Sequence, residues 1–401
     1  METIIMKNET FKWPLINDNV SEEDKESLIK FIKEPNVRFT QSKYVKEFEK
    51  KWSEWLGVKH TVFVNSGASA NYIMASIAKE VKGVGEVIVP PIGWVSDISP
   101  LVNLGMTPVF VDVDMKTLDI SAEHIRRAIT PETKAIVLVH ALGFNGINEQ
   151  IVDIAKEHDL MLIEDCCESH GALWNDKKIG TFGHMSNFSF YFGHHMTTVE
   201  GGVVCTDDDD LYEYVKMFRS HGMTREASEE IQLKYQEKYP RLNPLFTFAV
   251  PGYNVRNTEF NAVLGLSQLK RLDDNVAKRK HNFELWNSQL DSRIYYTGYN
   301  TIGNSNFSLP LILQHTSKET LQKVCLLLED EGVEYRLGTA GGGNQARQPY
   351  LTEGRYTYRV EGVLANADHI HDYGLYIGNH TELNDGSIIT LCDKLNKILE
   401  G

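Results

Sequence analysis

The sequence lacks the features that mark several broad classes of protein. It has no run of about 18 apolar residues, the length that a membrane-spanning helix needs. Its first residues, METIIMKNETFKW, show no basic stretch followed by an apolar one, so we expect no secretory signal. The formal net charge of −14 argues against the basic patches that nucleic acids and membrane surfaces attract. We therefore expect neither nucleic acid nor membrane as a partner.

Cysteine is scarce as well. The chain has five cysteines, namely Cys166, Cys167, Cys205, Cys325 and Cys392. No C-x-C or C-x-x-C spacing is present, and zinc sites and iron–sulfur clusters rely on such spacings, so we expect no metal site. A few cysteines without a disulfide framework fit a reducing cytoplasm best.

The remaining composition is that of a globular enzyme. With 401 residues and 42% hydrophobic content, the chain is long enough to bury a large core. Residues 17–57 have helical character, and from residue 61 onward apolar strands alternate with helices. The strands are continuous apolar runs, as in residues 87–89 and 136–139. This pattern predicts an α/β fold with a mainly parallel central sheet covered on both faces.

Two domains are predicted along the chain. We expect residues 1–255 to form a large domain, and residues 256–401 to form a linking helix and a smaller C-terminal α+β domain. Residues 224–246 are polar and aromatic and have few periodic apolar positions. We interpret that stretch as a long excursion, and long loops in compact domains are more often functional than accidental.

Several strand ends carry residues that fit a ligand, because functional groups in such sheets lie just past the strand C-termini. The strand at 61–64 runs into N-S-G-A-S-A-N and then a helix, where Gly67 would let a phosphate approach the backbone N–H groups. Trp94 follows the next strand, and Asp165 lies at the end of a later one. Taken alone, Asp165 also fits a cap and Trp94 a core position.

A further cluster lies in residues 186–202, which read SNFSFYFGHHMTTVEGG. Alternation around Ser189 predicts a strand, and the loop after it carries His194 and His195, which alone fit an ordinary turn. Together with the earlier strand ends, this loop fits a ligand with an anionic end, a flat face and a basic ring nitrogen. A phosphorylated pyridine cofactor has all three, and a buried carboxylate keeps its ring nitrogen protonated.

Eight motifs spread along the chain point to one family: N-S-G-A-S-A-N, V-P-P-I-G-W, E-D-C-C-E-S-H-G-A, F-S-F-Y, E-G-G, R-S-H-G-M-T-R, P-G-Y-N-V-R and G-L-Y-I-G-N-H. With them, nearly the whole chain resembles the sugar aminotransferase/dehydratase family of fold-type-I pyridoxal-phosphate enzymes. That family acts on nucleotide-linked keto sugars. The resemblance implies a pyridoxal 5'-phosphate or pyridoxamine 5'-phosphate cofactor.

The resemblance also implies roles for the matching residues. It places Asp165 at the ring nitrogen and stacks Trp94 on the ring. It assigns phosphate binding to residues of two motifs: Gly67, Ala68, Ser69 and Ser189. It implies that Asn254 reaches the phosphate of the neighbouring subunit's cofactor, so that a homodimer shares its active sites.

The chain departs from the family pattern at residue 194. Family aminotransferases have there the lysine that binds the cofactor covalently, whereas this chain has His194, and no lysine lies between Lys178 and Lys216. Histidine cannot form that bond, but it can act as a general base near neutral pH. The resemblance favours His194 as this base, with His195 as the alternative.

The H-H-M-T-T-V-E-G-G sequence resembles the subgroup that removes the C3 hydroxyl of a nucleotide-linked 4-keto-6-deoxy sugar. One branch of it carries an iron–sulfur cluster on a C-x-C-x-C arrangement, which this chain lacks. The resemblance to the other branch implies a GDP-linked substrate, regeneration of the cofactor amine by L-glutamate, and release of ammonia. Such chemistry serves the biosynthesis of deoxysugars and O-antigen-type polysaccharides.

Five more residues are candidates for contact with the substrate: Glu168, His195, His221, Arg225 and Arg336. The loop after Arg336 reads R-L-G-T-A-G-G-G-N, whereas the subgroup has R-P-x-x-x-G-N. Three alternatives stay open. The chain is an aminotransferase that tolerates histidine, an enzyme for another nucleotide sugar such as a CDP- or heptose-linked one, or a regulatory protein that binds the cofactor without catalysis.

Overall fold

A computed structural model describes residues 11–400. Residues 1–10, part of the stretch in which we expect no secretory signal, lie outside the described residues. The α-helices are α1 (Glu22–Ile32), α2 (Lys43–Leu56), α3 (Gly67–Lys82), α4 (Val95–Asn103), α5 (Ala122–Ala128), α6 (Glu149–Glu157), α7 (Asp209–Arg219), α8 (Glu229–Lys238), α9 (Glu259–Leu269), α10 (Leu272–Gln289), α11 (Lys318–Glu331), α12 (Pro349–Thr352), α13 (Ala365–Tyr373) and α14 (Asp385–Asn396). The strands are β1 (His60–Val64), β2 (Glu86–Val89), β3 (Thr107–Phe110), β4 (Thr133–Val139), β5 (Met161–Asp165), β6 (Leu173–Trp174), β7 (Lys177–Lys178), β8 (Met185–Ser189), β9 (Gly202–Thr206), β10 (Ser308–Ile312), β11 (Tyr335–Leu337), β12 (Arg359–Val360) and β13 (Gly374–Gly378).

The larger sheet has eight strands in the order β1-β9-β8-β5-β4-β2-β3-β12. β9 runs antiparallel to both of its neighbours, and the other adjacent pairs are parallel. Successive residues of its strands enter different hydrophobic clusters: Val87 and Val89 belong to one, and Ile88 to the other. Side chains alternate between the faces of a sheet, so both faces are covered. The predicted α/β fold with a mainly parallel sheet is confirmed.

The C-terminal part of the chain builds a second, antiparallel sheet in the order β10-β13-β11. One short strand from this part, β12, returns to the large sheet and pairs with β3. The Arg359 guanidinium of β12 lies 2.9 Å from the Glu86 carboxylate of β2 and anchors this return. The domain division at residue 255 stays a prediction, and the large sheet includes a strand from beyond it.

Residues 224–246 contain a helix where we expected a loop-like excursion. α8 begins after Ser228, whose hydroxyl accepts the N–H of Ile231, and Glu229 and Glu230 occupy its first turn. These features stabilise a helix start locally. The interpretation was wrong because it relied on apolar periodicity. Helix α8 has no buried residue and therefore has no need of a periodic apolar face.

No helix within residues 11–400 combines the length and the apolar character needed to cross a membrane. All five cysteines are free thiols.

Candidate active site

A cavity of about 320 Å³ opens beside the carboxyl ends of β1, β2, β4, β5 and β8. Residues of the second sheet and of the N-terminal segment close its other side. Parallel strands bring their C-terminal residues to one edge, so distant parts of the sequence meet here. The lining includes eight residues singled out from the sequence: Gly67, Ala68, Trp94, Asp165, Glu168, Ser189, His194 and Arg336.

One end of the cavity has the features of an anion site. α3 begins at Gly67, and Gly67 and Ala68 at its N-terminus line the cavity together with Ser66 and Ser189. A Cβ on Gly67 would lie 2.7 Å from the Ser189 Cβ, so only glycine fits between the helix start and β8. The start of α3 and the Ser66 and Ser189 hydroxyls therefore lie at the same end of the cavity, and a helix N-terminus suits a phosphate group.

Asp165, the last residue of β5, lies on the floor of the cavity. Its Oδ2 accepts hydrogen bonds from the side-chain amides of Asn71 at 2.7 Å and Asn187 at 3.3 Å, and its Oδ1 accepts the Cys167 N–H at 2.9 Å. Three donors stabilise a carboxylate and fix its orientation. Asn71 belongs to the N-S-G-A-S-A-N motif and Asn187 to the stretch 186–202, but neither pattern predicts a contact with Asp165.

A second carboxyl group, Asp97, lines the same floor and was missed in the sequence. Its Oδ2 accepts the Trp94 N–H at 2.8 Å, and its Oδ1 accepts the Asn71 amide at 3.0 Å. Burial and then the charge of Asp165 raise the pKa of Asp97 well above its usual range. The signal that could have revealed it is its position, three residues after Trp94 at the start of a helix.

His194 lies in the loop that follows β8, and its backbone N–H donates to the Tyr191 carbonyl at 3.0 Å. Its ring centroid lies 5.3 Å from that of Phe307, and its buried Nδ1 has no hydrogen-bond partner in the described chain. Burial lowers the pKa of His194 to about 4, Arg279 acts in the same direction, and Asp165 opposes them. The imidazole is therefore neutral at pH 7 and able to accept a proton.

Glu168 and Arg336 place further polar groups at the cavity. Glu168 accepts the Leu142 N–H at 2.7 Å, and burial raises the pKa of its carboxyl to about 7. Arg336 belongs to β11 of the second sheet and is exposed. Because it titrates near neutral pH, the Glu168 carboxyl group can either accept or donate a proton in the cavity.

Apolar side chains from distant parts of the chain complete the wall: Leu15, Ile16, Phe307 and Tyr376. Ile16 packs against Gly193, where a Cβ would come within 2.8 Å of its Cδ1. No motif or spacing marks Leu15 or Ile16, because their place at the cavity depends only on the path of the N-terminal segment across the fold.

Five singled-out residues do not line the cavity of this chain: Ser69, His195, His221, Arg225 and Asn254. The Ser69 hydroxyl donates to Asn65 at 2.7 Å, and His195 is buried with its Nε2 at 3.1 Å from the Ser305 carbonyl. The other three are exposed. Their proposed contacts with cofactor or substrate stay predictions, and that of Asn254 concerns a neighbouring subunit.

A buried cluster behind the cavity brings His140, Glu164 and Cys166 close enough to hold a metal ion. The protein already uses the imidazole nitrogens: Nδ1 accepts the Gly146 N–H at 3.1 Å, and Nε2 lies 3.3 Å from Glu164. Glu164 also accepts three backbone N–H groups from residues 180–183. These bonds explain the cluster as a structural support for β5.

The cavity residues fit a pyridoxal-type cofactor. The Gly67 turn suits a phosphate, and the Asp165 carboxyl group and the His194 ring line the same cavity. This fold and site define a fold-type-I enzyme of the pyridoxal-phosphate class. The chain belongs to the DegT/DnrJ/EryC1/StrS aminotransferase family, whose model matches residues 19–396.

The similar proteins include both dehydratases and aminotransferases. GDP-4-keto-6-deoxy-D-mannose 3-dehydratase of Yersinia pseudotuberculosis is 34% identical over 381 residues, which cover 94% of this chain and 96% of that protein. The Escherichia coli enzyme of that name, solved with bound hydrated PLP, superposes with a TM-score of 0.86 at 30% identity, covering 98% of this chain and 100% of that one. A GDP-4-keto-6-deoxymannose-3-dehydratase structure with a trapped PLP-glutamate geminal diamine gives the same TM-score and identity, covering 96% and 100%.

Proposed function

We propose that this chain is a pyridoxamine-phosphate-dependent dehydratase that removes the C3 hydroxyl of a nucleotide-linked 4-keto-6-deoxy sugar. GDP is the favoured nucleotide, and L-glutamate restores the amine of the cofactor. The observation that carries the proposal is a neutral His194 at the position of the family lysine, in a cavity that it lines together with five of the residues expected to bind the cofactor, namely Gly67, Ala68, Trp94, Asp165 and Ser189. The similarity to GDP-sugar 3-dehydratases over most of the chain supports this substrate class.

Each part of the cavity has a binding task. The Gly67 turn with Ser66 and Ser189 would hold the phosphate, Asp165 the ring nitrogen, and Trp94 a face of the ring. When bound, the cofactor supplies an amine that condenses with a ketone and a ring that withdraws electrons. Because no bond to the protein holds it, its position depends on these contacts alone.

His194 has the task of moving a proton. Its neutral ring, which lines the cavity, takes up a proton and returns it later in the cycle. No lysine lines the cavity in the described part of the chain. A lysine ammonium would return the proton to C4 of the sugar, and the product would be an amino sugar. With histidine in its place, loss of the C3 hydroxyl competes with that proton return and gives the deoxy sugar.

The apolar wall limits the access of water. Leu15, Ile16 and Phe307 face the interior near His194, and burial of the ring agrees with the lowered pKa of His194. A dry site strengthens the attraction between Asp165 and a protonated ring nitrogen. Glu168, with a pKa of about 7, is placed to assist the amine donor or a water molecule.

We expect the His194→Asn variant to lose about 10²–10⁴-fold in turnover, the usual worth of a general acid–base group, while it still binds pyridoxamine phosphate. Turnover is measured as release of ammonia and of a 3,6-dideoxy-4-keto sugar, identified by mass spectrometry. The matched control is His281→Asn, because His281 is exposed on α10 and, among the described residues, its side chain bonds to Asp385 alone. Near-full activity of His194→Asn would show that another residue is the base.

The product distinguishes the alternatives. An amino sugar formed from the same 4-keto substrate and glutamate would favour the aminotransferase. A screen of GDP-, CDP- and heptose-linked 4-keto sugars would identify the nucleotide and the sugar. A bound cofactor whose absorbance does not respond to glutamate, α-ketoglutarate or any keto sugar would favour a regulatory protein.

A homodimer with shared sites is part of the proposal. The stretch before Asn254 exposes several large apolar side chains, each more than half accessible: Leu245, Phe246, Phe248 and Tyr253. Contiguous exposed apolar side chains are typical of an interface. A cytoplasmic location, predicted from the scarcity of cysteine, completes the proposal.

A further inference from the structure

Asp97 and Asp165 are two carboxyl groups in one buried site, each 6% exposed. The Asn71 amide bridges them, donating to Asp165 at 2.7 Å and to Asp97 at 3.0 Å. Two negative charges so close together in a buried site repel strongly, and such pairs keep one proton between them. The geometry therefore requires one of the two carboxyls to be an acid at neutral pH.

The surroundings decide which carboxyl keeps the proton. Three donors point at the Asp165 oxygens, two amides and the Cys167 N–H, and each of them needs an acceptor there, whereas Asp97 accepts from only two, the Asn71 amide and the Trp94 N–H. The ionisable groups that act on Asp97 include Asp165 at the end of β5, Cys167 and Glu168 just after it, and Tyr350 from α12, and none of these four is a cation. Arg336 and His194 line the same cavity, but neither bonds to Asp97 in the described chain. The proton therefore belongs on Asp97, in agreement with its strongly raised pKa.

We infer that Asp97, as a neutral acid, is a positioning residue that donates a hydrogen bond to Asp165 while it holds the backbone of Trp94. The inference rests on the proposed function, since it takes Asp165 to face the ring nitrogen and Trp94 to cover the ring. A donor on Asp165 reduces its affinity for a further proton, so the proton between Asp165 and the ring stays on the ring nitrogen. Asp97 thus couples the charge at the ring nitrogen to the position of Trp94.

Two substitutions separate the neutral acid from an anion. Asp97→Asn keeps an oxygen acceptor and an N–H donor at the same place, whereas Asp97→Ala keeps neither. We expect Asp97→Asn to bind pyridoxamine phosphate within about fivefold of the wild type, and Asp97→Ala to bind it about tenfold or more weakly. Equal impairment of both variants would mean that Asp97 acts as an anion and would overturn the inference, as would wild-type affinity in Asp97→Ala.

A measurement on the apoprotein tests the protonation state directly. At pH 7, the infrared difference spectrum of wild type minus Asp97→Asn should show the carbonyl stretch of a protonated carboxyl group. Glu168 is present in both proteins and cancels. Absence of the band contradicts the neutral acid, and this test does not need the alanine variant to fold.

The third readout is the absorbance of bound pyridoxal phosphate at pH 7, which reports whether the ring nitrogen is protonated. Without a donor, Asp165 takes a larger share of the proton that it exchanges with the ring nitrogen, so we expect a smaller protonated fraction of the ring in Asp97→Ala than in the wild type, with Asp97→Asn close to the wild type. A residue that only caps α4 would change thermal stability and leave this absorbance unchanged, which would overturn the inference. If the wild type binds neither form of the cofactor, the proposed function fails, while the infrared band still reports on Asp97.

Discussion

Buried ionisable side chains recur in this protein, and Asp119 is a clear example outside the cavity. Its side chain is fully buried, its Oδ1 accepts the Ile120 N–H at 2.7 Å, and its Oδ2 has no partner in the described chain. Burial raises the pKa of Asp119 to about 7, although His140 opposes the shift. Ionising such a carboxyl has a cost in stability because water no longer solvates the charge.

We expect Asp119→Asn to raise the free energy of unfolding relative to the wild type, and the difference to grow between pH 4 and pH 7. The folded pKa lies above the unfolded one, so the stability that the protonated group contributes is fully present below about pH 4 and is lost as the pH rises through about 7. The amide of the variant does not ionise. At pH 8 we therefore expect the free energy of unfolding of Asp119→Asn to exceed that of the wild type by on the order of a few kcal/mol. Urea unfolding at pH 4, 6 and 8 measures it.

The control is Asp153→Asn on the exposed side of α6, for which we expect no such pH dependence. A stability difference for Asp119→Asn that does not change with pH would show that the carboxyl is not held as an acid in the folded protein.

At the scale of elements, the N-terminal segment at residues 13–16 helps to build the cavity, although no motif in its sequence indicates this role. The Trp13 indole N–H donates to the Gly378 carbonyl at 2.8 Å, and the Leu15 N–H donates to the Glu334 carboxylate at 2.8 Å. The segment therefore lies beside the end of β13 and the residues just before β11, and it carries Ile16 onto Gly193, beside His194. It joins the second sheet to the loop that holds the proposed base.

We expect Glu334→Ala to raise KM for the sugar substrate roughly fivefold, because one backbone hydrogen bond worth about 1 kcal/mol no longer holds Leu15 against the cavity. Steady-state kinetics measures the change. Glu334→Gln keeps an acceptor for the Leu15 N–H and should restore KM. A KM that is equal in the wild type and the alanine variant would show that the segment does not help to enclose the substrate.

At the scale of the whole molecule, the proposed dimer has a consequence that mixing can test. If Asn254 serves the neighbouring subunit's site, a dimer of one His194→Asn and one Asn254→Ala subunit has one site with both native residues. We expect each variant alone to be impaired and an unfolded and refolded mixture to regain activity. The control is a mixture of His194→Asn with Asp165→Asn, in which His194 and Asp165 act within one chain and no intact site forms. Failure of the first mixture to regain activity would contradict the shared site.

The fold was accessible from the sequence wherever local pattern and burial agree. The apolar run at residues 87–89 predicted a strand, and it lies in β2. Val87 and Val89 are buried on one face of the sheet and Ile88 on the other. α8 was missed because it is a helix without a buried face. Element type follows from periodicity only where an element packs against the core.

The sequence by itself determined the class of site, because Gly67, Trp94, Asp165, Ser189 and His194 lie at strand ends that a parallel sheet must bring to one edge. The tertiary structure alone decided that Ile16 reaches the cavity, that His195 turns away to Ser305, and that Asp97 shares a floor with Asp165. These contacts join residues far apart in the chain or depend on the direction of one side chain. Spacing along a sequence encodes which residues share an element, whereas the position of a proton depends on the charges and donors that surround a group in space.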